Sequence, residues 1–293
     1  VSRLLIIDGH AYAYRAFHAI RDLRSPDGRP TNAIYGFVKM LEKMRQAVKP
    51  AHLIAVWDGG LSAERVATLP EYKAQRPEMP DGLRPQLDEI GDYLAAAGLA
   101  GFCGEGIEAD DYIACLARRA ADAGWDVVIA SSDKDFMQLV SARIGLLNPN
   151  DKTGAVWGRE QVHAKSGVEP GQVADWLALM GDAVDNIPGV PGVGTKTAAG
   201  LLQQFGSVDA LFARLDEVKP EKLRTALRDS EKNVRRNLGL VRLHEVPCEF
   251  APEKLAVRPP NREKLRGLFQ RWGFNGMLAE LDAQRPELQA ELI

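Results

Sequence analysis

Apolar residues in the first half of the chain fall into short unbroken runs separated by stretches of helical spacing. Leu4 to Ile7 ends at Asp8-Gly9, and Leu53 to Trp57 ends at Asp58. Val127 to Ala130 leads into Ser131-Ser132-Asp133, and Ile144 to Leu147 is a further run. Short runs without polar alternation are those of strands buried on both faces, as in a parallel sheet. Between them, Ala33 to Met44 carries Ile34, Phe37, Val38 and Leu41 on one helical face. Leu83 to Leu99 places Leu87, Ile90 and Leu94 likewise, and Ala109 to Ala123 predicts another helix. This alternation predicts a mostly parallel sheet covered by helices, with ligands gathering at the carboxyl ends of the strands.

After about residue 168 the rhythm becomes helical. Trp176 to Met180 predicts a helix, Ile187 to Gly194 a tight Pro- and Gly-rich turn, and Thr195 to Phe205 a second helix. Leu211 to Leu240 continues in helical spacing. Pro259-Pro260 interrupts it, and Arg262 to Leu281 predicts a last helix carrying Leu265, Leu268, Phe269 and Trp272. The expected organisation is an α/β domain over residues 1–168 and a helical subdomain over 169–293.

Composition narrows the class. The 293 residues are 45% hydrophobic and 26% charged, enough for a sizeable core, and no apolar stretch approaches a membrane span. Three scattered cysteines, Cys103, Cys115 and Cys248, show no zinc or pairing spacing, so a reducing cytoplasm is expected. The net charge of −3 argues at first against a nucleic-acid partner. A dense set of carboxylates can hide basic surface in such a sum, however, so the distribution matters more than the total.

That set is the main chemical signal. Asp8 and Asp58 close strands; Glu108, Asp110 and Asp111 open a helix; Asp133 and Asp135 follow a strand; Asp182 and Asp185 stand three apart. One acid at a helix start is ordinary capping, and aspartates after a strand are ordinary turn formers. Three acids within four positions exceed capping needs, and their repulsion calls for cations between them. Hard oxygen donors without a Cys or His cluster favour magnesium or manganese over zinc. The histidines show no ligand spacing, and His10 and His18 read as packing or supporting groups.

Two further segments point to phosphate. In Pro188-Gly-Val-Pro-Gly-Val-Gly194, Gly189, Gly192 and Gly194 let backbone N–H groups approach a ligand, and the following helix opens with Thr195-Lys196. A Walker A loop would need Lys-Ser/Thr after the glycines and a preceding strand, and neither is expected here. A helix–hairpin–helix gripping one duplex backbone fits better than a plain interhelical turn. In Tyr72-Lys-Ala-Gln-Arg76, Lys73 and Arg76 can stabilise charge on a phosphate and Tyr72 can stack on a base. Tyr14-Arg15, just after Asp8, is a weaker candidate for the same substrate.

These segments taken in order resemble a known family. Asp-Gly-His at 8–10, Tyr-Arg-Ala-Phe-His-Ala at 14–19, Ala-Ile-Tyr-Gly-Phe at 33–37 and Tyr-Lys-Ala-Gln-Arg at 72–76 are similar to bacterial 5′ nucleases. So are Glu-Ala-Asp-Asp at 108–111, Ser-Asp-Lys-Asp at 132–135 and the run from Gly181 to Ala198. From about Leu4 to about Leu281 the chain resembles the bacterial 5′–3′ exonuclease and flap endonuclease family, which includes the 5′-nuclease domain of DNA polymerase I.

The resemblance implies a PIN-like α/β fold with a helical arch and a C-terminal helix–hairpin–helix. It implies two divalent ions, Mg2+ or Mn2+, hydrolysing DNA phosphodiesters near a 5′ end or the base of a 5′ flap. Asp8, Asp58, Glu108, Asp110 and Asp111 match the family's first metal cluster, and Asp133, Asp135, Asp182 and Asp185 the second. Lys73 and Arg76 match its catalytic arch residues and Tyr72 an adjacent aromatic. A potassium ion is implied near Val190 to Val193.

The implied partners are DNA and a fused or cooperating DNA polymerase, with no membrane, and the protein is expected to be a monomer. One departure stands out: Glu64-Arg65 lies where the family usually has Phe-Arg, which affects the packing of the arch but removes no carboxylate. The competing readings are a PIN-type ribonuclease and a non-catalytic, structure-specific DNA-binding module.

Overall fold

The computed structural model describes residues 2–283. Six strands form one sheet in the order β3-β2-β1-β4-β5-β6: β1 (Arg3–Asp8), β2 (His52–Trp57), β3 (Ala100–Cys103), β4 (Asp126–Ala130), β5 (Ile144–Leu147) and β6 (Val156–Trp157). The first five are parallel and β6 joins β5 antiparallel. A second, two-stranded ladder pairs β7 (Gly181–Asp182) with β8 (Ile187–Pro188).

The helices of the first half are α1 (Gly9–Ala19), α2 (Asn32–Val48), α3 (Ala63–Thr68), α4 (Arg84–Ala96), α5 (Ala109–Asp122) and α6 (Arg159–Ser166). The second half contributes α7 (Val173–Met180), α8 (Thr195–Phe205), α9 (Val208–Ala213), α10 (Glu221–Val241), α11 (Pro252–Leu255), α12 (Arg262–Trp272) and α13 (Asn275–Ala283).

Alternate residues of each central strand enter opposite cores, which is why these strands read as unbroken apolar runs. Leu4, Ile6, Ile54, Val56, Val127 and Ile129 face α5 together with α7, α8 and α10. Leu5, Ile7, Leu53, Ala55 and Val128 face α1, α2, α4, α12 and α13. The last two helices therefore return to the first half of the chain rather than standing apart as an appendage. Leu265, Phe269 and Trp272 of α12 are buried in the same core as Ile90 and Leu94 of α4.

The four expected strands and the helices at α2, α4, α5, α7 and α8 are present, but the expected pattern fails in several places. Helix α1 buries Tyr12, Ala13 and Ala16 rather than a stripe of large apolar groups. It can do so because α2 approaches closely at Gly36, where a Cβ would lie 2.7 Å from Ala16 Cβ. The helical stretch expected from Leu211 to Leu240 is divided into α9 and α10. The last helix is likewise divided, at Gly273, whose φ of +74° is left-handed. A short strand, β8, does precede the glycine-rich turn, so the Thr195-Lys196 order alone separates it from a Walker A loop. Where an arch is expected, the segment between β2 and α4 forms the six-residue helix α3 and a run of turns.

Candidate metal and phosphate site

Three adjacent strands deliver carboxylates to one end of the sheet. Asp8 ends β1, Asp58 follows β2 on one side of it, and Asp133 follows β4 on the other. Asp8 caps α1, accepting the Ala11 N–H at 3.0 Å, and also accepts the Ser131 hydroxyl at 2.7 Å. The same Ser131 hydroxyl oxygen accepts the Asp133 N–H at 3.1 Å, so one side chain ties the ends of β1 and β4 together. Asp58 reaches across to α5, where its Oδ1 accepts the Ala109 N–H at 2.8 Å. Its own N–H donates to His10 Nδ1 at 3.1 Å, which makes His10 a supporting group beside Asp58.

Glu108 stands at the start of α5 without capping it. Its carboxylate turns instead into a buried pocket, where Oε1 accepts the Ser62 N–H at 3.0 Å and Arg65 Nη1 at 3.1 Å. Oε2 takes the Tyr72 hydroxyl at 3.2 Å and the Lys73 ammonium. Burial would raise the pKa of Glu108, but Lys73 and Arg65 outweigh it and hold the carboxyl below its usual range. Burial equally disfavours the charge on Lys73, and Asp110 and Glu108 reverse that, so its ammonium titrates above the ordinary lysine range.

The remaining carboxylates respond to burial and to one another. Burial pushes Asp8 up to about 6, with Asp133 and Asp58 adding repulsion. Asp110 is raised well above its usual value by burial and then by Asp133, Asp8 and Asp58. Asp133 is raised by burial, with Asp185 and Asp182 adding to it. Asp135 is raised by burial and by Asp133, Asp185 and Asp182. These interactions sort the acids into two neighbourhoods that share Asp133. One holds Asp8, Asp58 and Asp110; the other holds Asp135, Asp182 and Asp185.

Basic groups enter the second neighbourhood. Lys134 lies 3.0 Å from Asp182, and Arg76 lies 2.6 Å from Asp185. Lys73 Nζ is 3.9 Å from Asp110 and 4.0 Å from Asp185. Its backbone holds a left-handed φ of +55°, unusual for a residue with a side chain, and its N–H donates to the Asp185 carbonyl at 3.0 Å.

Among the described residues no three acidic, His or Cys side chains close into a ready-made cage for one ion. The gathering is looser than the sequence suggests because several acids lean on local donors, Asp8 on Ser131 and Asp133 on the Asp135 N–H. The donor set nevertheless suits a hard divalent cation: it is all oxygen, mutually repelling, and includes a buried Asp135 Oδ1 with no hydrogen-bond partner.

Other expected site residues are placed differently. Asp111 points away from the two neighbourhoods and is held by Arg65 at 2.7 and 2.8 Å and by the His244 N–H at 2.8 Å. Tyr72 is buried with its hydroxyl on Glu108, so its ring is not free to stack on a base. Arg15 is tied to Asn150 at 2.6 Å and to the Pro149 carbonyl at 2.9 Å. Tyr14 lies half-buried between His10 and His18.

In the hairpin, Gly189 is required by packing, since a Cβ would fall 2.2 Å from the Met180 carbonyl. Gly192 needs its φ of +80°, whereas Gly194 faces open space at the start of α8 beside exposed Lys196. Sequence reasoning missed the roles of Ser131, Lys134 and Arg65, all of which act across long separations. Lys134 alone carried a local signal, lying between two aspartates. Glu64, in place of the usual aromatic, is exposed and 3.9 Å from His244.

Comparison with known proteins shows the family and the fold. Residues 3–167 match the family profile described as 5′-3′ exonuclease, N-terminal resolvase-like domain, and residues 168–263 match 5′-3′ exonuclease, C-terminal SAM fold. A 5′-3′ exonuclease of Aquifex aeolicus is 38% identical over 281 residues, covering 95% of each chain. DNA polymerase I of Pseudomonas aeruginosa is 40% identical over 286 residues, covering 95% of this chain and 31% of the polymerase. The chain thus spans about a third of the polymerases it matches.

Among solved structures, T5 5′-exonuclease with bound zinc superposes with a TM-score of 0.69 at 24% identity, covering 96% of this chain and 98% of that one. The catalytic core of Rad2 with its DNA substrate gives 0.65 at 17% identity, with coverages of 96% and 92%. Both show the fold. With two profiles spanning nearly the whole chain and a full-length relative, the chain belongs to the 5′–3′ exonuclease family of metal-dependent nucleases.

Proposed function

We propose that this chain hydrolyses DNA phosphodiesters at 5′ ends and at the base of 5′ flaps, with Mg2+ or Mn2+ held by its strand-end carboxylates. The observation that carries the reading is the convergence of Asp8, Asp58 and Asp133 at the carboxyl ends of three adjacent strands, with Asp58 accepting the Ala109 N–H at the start of α5 next to Asp110. Asp8, Asp58, Asp110 and Asp133 would hold one ion, and Asp135, Asp182 and Asp185 a second. Bound there, such ions supply polarisation of a phosphate and of an attacking water.

The protein's own groups do the rest. Glu108 holds the Lys73 ammonium among the carboxylates, and Arg76 stands beside Asp185. Both cations are placed to stabilise charge on a phosphate that enters there. The open backbone at Gly192 and Gly194, with Lys196, would grip the duplex through one strand's phosphates. A potassium ion near Val190 to Val193 belongs to the same reading; the Val190 carbonyl already accepts the Val193 N–H and keeps one lone pair for a cation.

In this reading residues 1–168 carry the chemistry together with Asp182 and Asp185, and the hairpin before α8 within 169–293 carries the duplex grip. The protein works in the cytoplasm as a monomer on nucleoid DNA, alone or beside a DNA polymerase. No helix among the described residues is long and apolar enough to cross a membrane. The test is cleavage of one labelled 5′-flap duplex by the parent and by Asp133→Asn. The variant should fold normally yet lose magnesium-dependent cleavage by at least about a hundredfold. An unchanged rate would sink the assignment. A matching RNA flap separates a ribonuclease, and binding without turnover in the parent separates a DNA-binding module.

A further inference from the structure

Arg65 is one of the most completely engaged side chains in the molecule, yet it touches neither carboxylate neighbourhood directly. It extends from α3 into a buried space between α5 and the end of α10. Two of its nitrogens make a fork-to-fork pair with Asp111 at 2.7 and 2.8 Å, and Nη1 also reaches Glu108 at 3.1 Å. Nε donates to the Leu240 carbonyl at 3.0 Å and Nη2 to the Arg242 carbonyl at 2.9 Å, at the carboxyl end of α10, where a cation is favoured. The Asp111 carboxylate is completed by the His244 N–H at 2.8 Å. Arg65 and Asp111 are each no more than 3% exposed.

This geometry leaves Asp111 little capacity to bind a cation. Both its oxygens are committed to a bidentate guanidinium, the strongest common partner of a carboxylate. A divalent ion there would have to displace Arg65 and leave a buried guanidinium without its counter-charge. The pair also has a clear consequence one contact further on. Arg65 fixes one oxygen of Glu108, and the other oxygen holds Lys73, whose backbone is already in a left-handed conformation. The same helix α10 is tied to the hairpin by Asn237, which donates to the Pro188 carbonyl at 2.8 Å and the Ala178 carbonyl at 3.2 Å.

We infer that Asp111 is not a metal ligand. It is a positioning residue that, through Arg65 and Glu108, sets Lys73 in the site and anchors it to α10, the helix tied to the hairpin by Asn237. The inference rests on the proposed metal-dependent cleavage, so its test measures metal binding apart from turnover. Mn2+ affinity would be titrated on the whole chain for the parent, Asp110→Asn and Asp111→Asn, alongside flap-cleavage kinetics.

Asp110→Asn should weaken Mn2+ binding by about tenfold or more, whereas Asp111→Asn should leave it within about twofold of the parent. Asp111→Asn should still lower kcat by about ten- to a hundredfold with KM little changed, because a misplaced Lys73 affects only the chemical step. If both variants weaken Mn2+ binding alike, Asp111 is a ligand and the inference fails. If neither does, the metal reading itself fails.

A second variant guards against simple unfolding. Arg65→Met with Asp111→Leu removes both charges together, which buried pairs tolerate better than the loss of one. It should fold and bind Mn2+ as the parent does while keeping the kcat loss. A double variant that cleaves at the parental kcat would overturn the positioning role.

Discussion

Gly59 follows Asp58 where the chain lies flush against residues 104–107. Its N–H donates to the Ile107 carbonyl at 3.0 Å and its carbonyl accepts the Gly106 N–H at 2.8 Å. A Cβ at this position would lie 1.7 Å from the Gly104 carbonyl oxygen, a backbone atom that cannot turn aside. Gly59→Ala should therefore cost about 3 kcal/mol in urea unfolding, and an unchanged midpoint would mean that the Asp58 and Glu108 loops do not meet. Ser131 serves two carboxylates with one hydroxyl, so Ser131→Ala should cost about 1–2 kcal/mol by the same measurement. No loss would show that Asp8 finds another donor.

At this scale the sequence was legible where chemistry coincides with a local pattern. Asp8, Asp58 and Asp133 each close an apolar run, and that placement is visible without a structure. Partnership was not. Arg65 meets Asp111 and Glu108, and Ser131 meets Asp8, across separations that leave no periodic trace. Tyr72 looked like a stacking group because nothing in its local spacing reveals that its hydroxyl is buried against Glu108.

Elements were readable in proportion to how much large apolar surface each buries. Helix α8 coincides with the expected Thr195 to Phe205, since Leu201, Leu202 and Phe205 form a plain stripe and glycines mark both its ends. Strand β3 is an edge of four residues, Ala-Gly-Phe-Cys, with alternating half-buried and exposed positions, and it escaped notice. The breaks between α9 and α10 and between α12 and α13 were passed over although each is marked locally, by Pro220 before α10 and by Gly273 after α12.

The hairpin before α8 also yields an element-level test. Its exposed residues Gly194, Thr195 and Lys196 surround a helix start where N–H groups are free to meet an anion. Lys196→Ala should weaken binding to any duplex equally and reduce the slope of log affinity against log salt by about 1, as loss of one phosphate contact requires. A salt slope identical to the parent's would remove Lys196 from the interface.

At the scale of the whole molecule, the chain closes on itself. Helices α12 and α13 lie against α2 and α4, on the sheet face opposite α5, and Trp272 is the largest of the fully buried side chains there. Phe269 and Phe274 pack beside it, and Tyr35 of α2 meets Phe274 edge-on at 5.2 Å. Glu89 of α4 gathers Arg271, the Trp272 indole N–H and Arg29 from the loop before α2, joining three parts of the chain at one carboxylate.

This return path was not legible, because a second helical half in sequence looks like an attachment whatever face it packs on. It makes a definite prediction about cooperativity. Trp272→Ala removes a buried ring from a core shared by both ends of the chain, so it should cost about 3–5 kcal/mol. If α12 and α13 are part of that core, far-UV circular dichroism and tryptophan fluorescence should report one coincident urea transition at a lower midpoint. Two separated transitions, with the early one confined to helix loss, would mean that the C-terminal helices fold apart from the sheet.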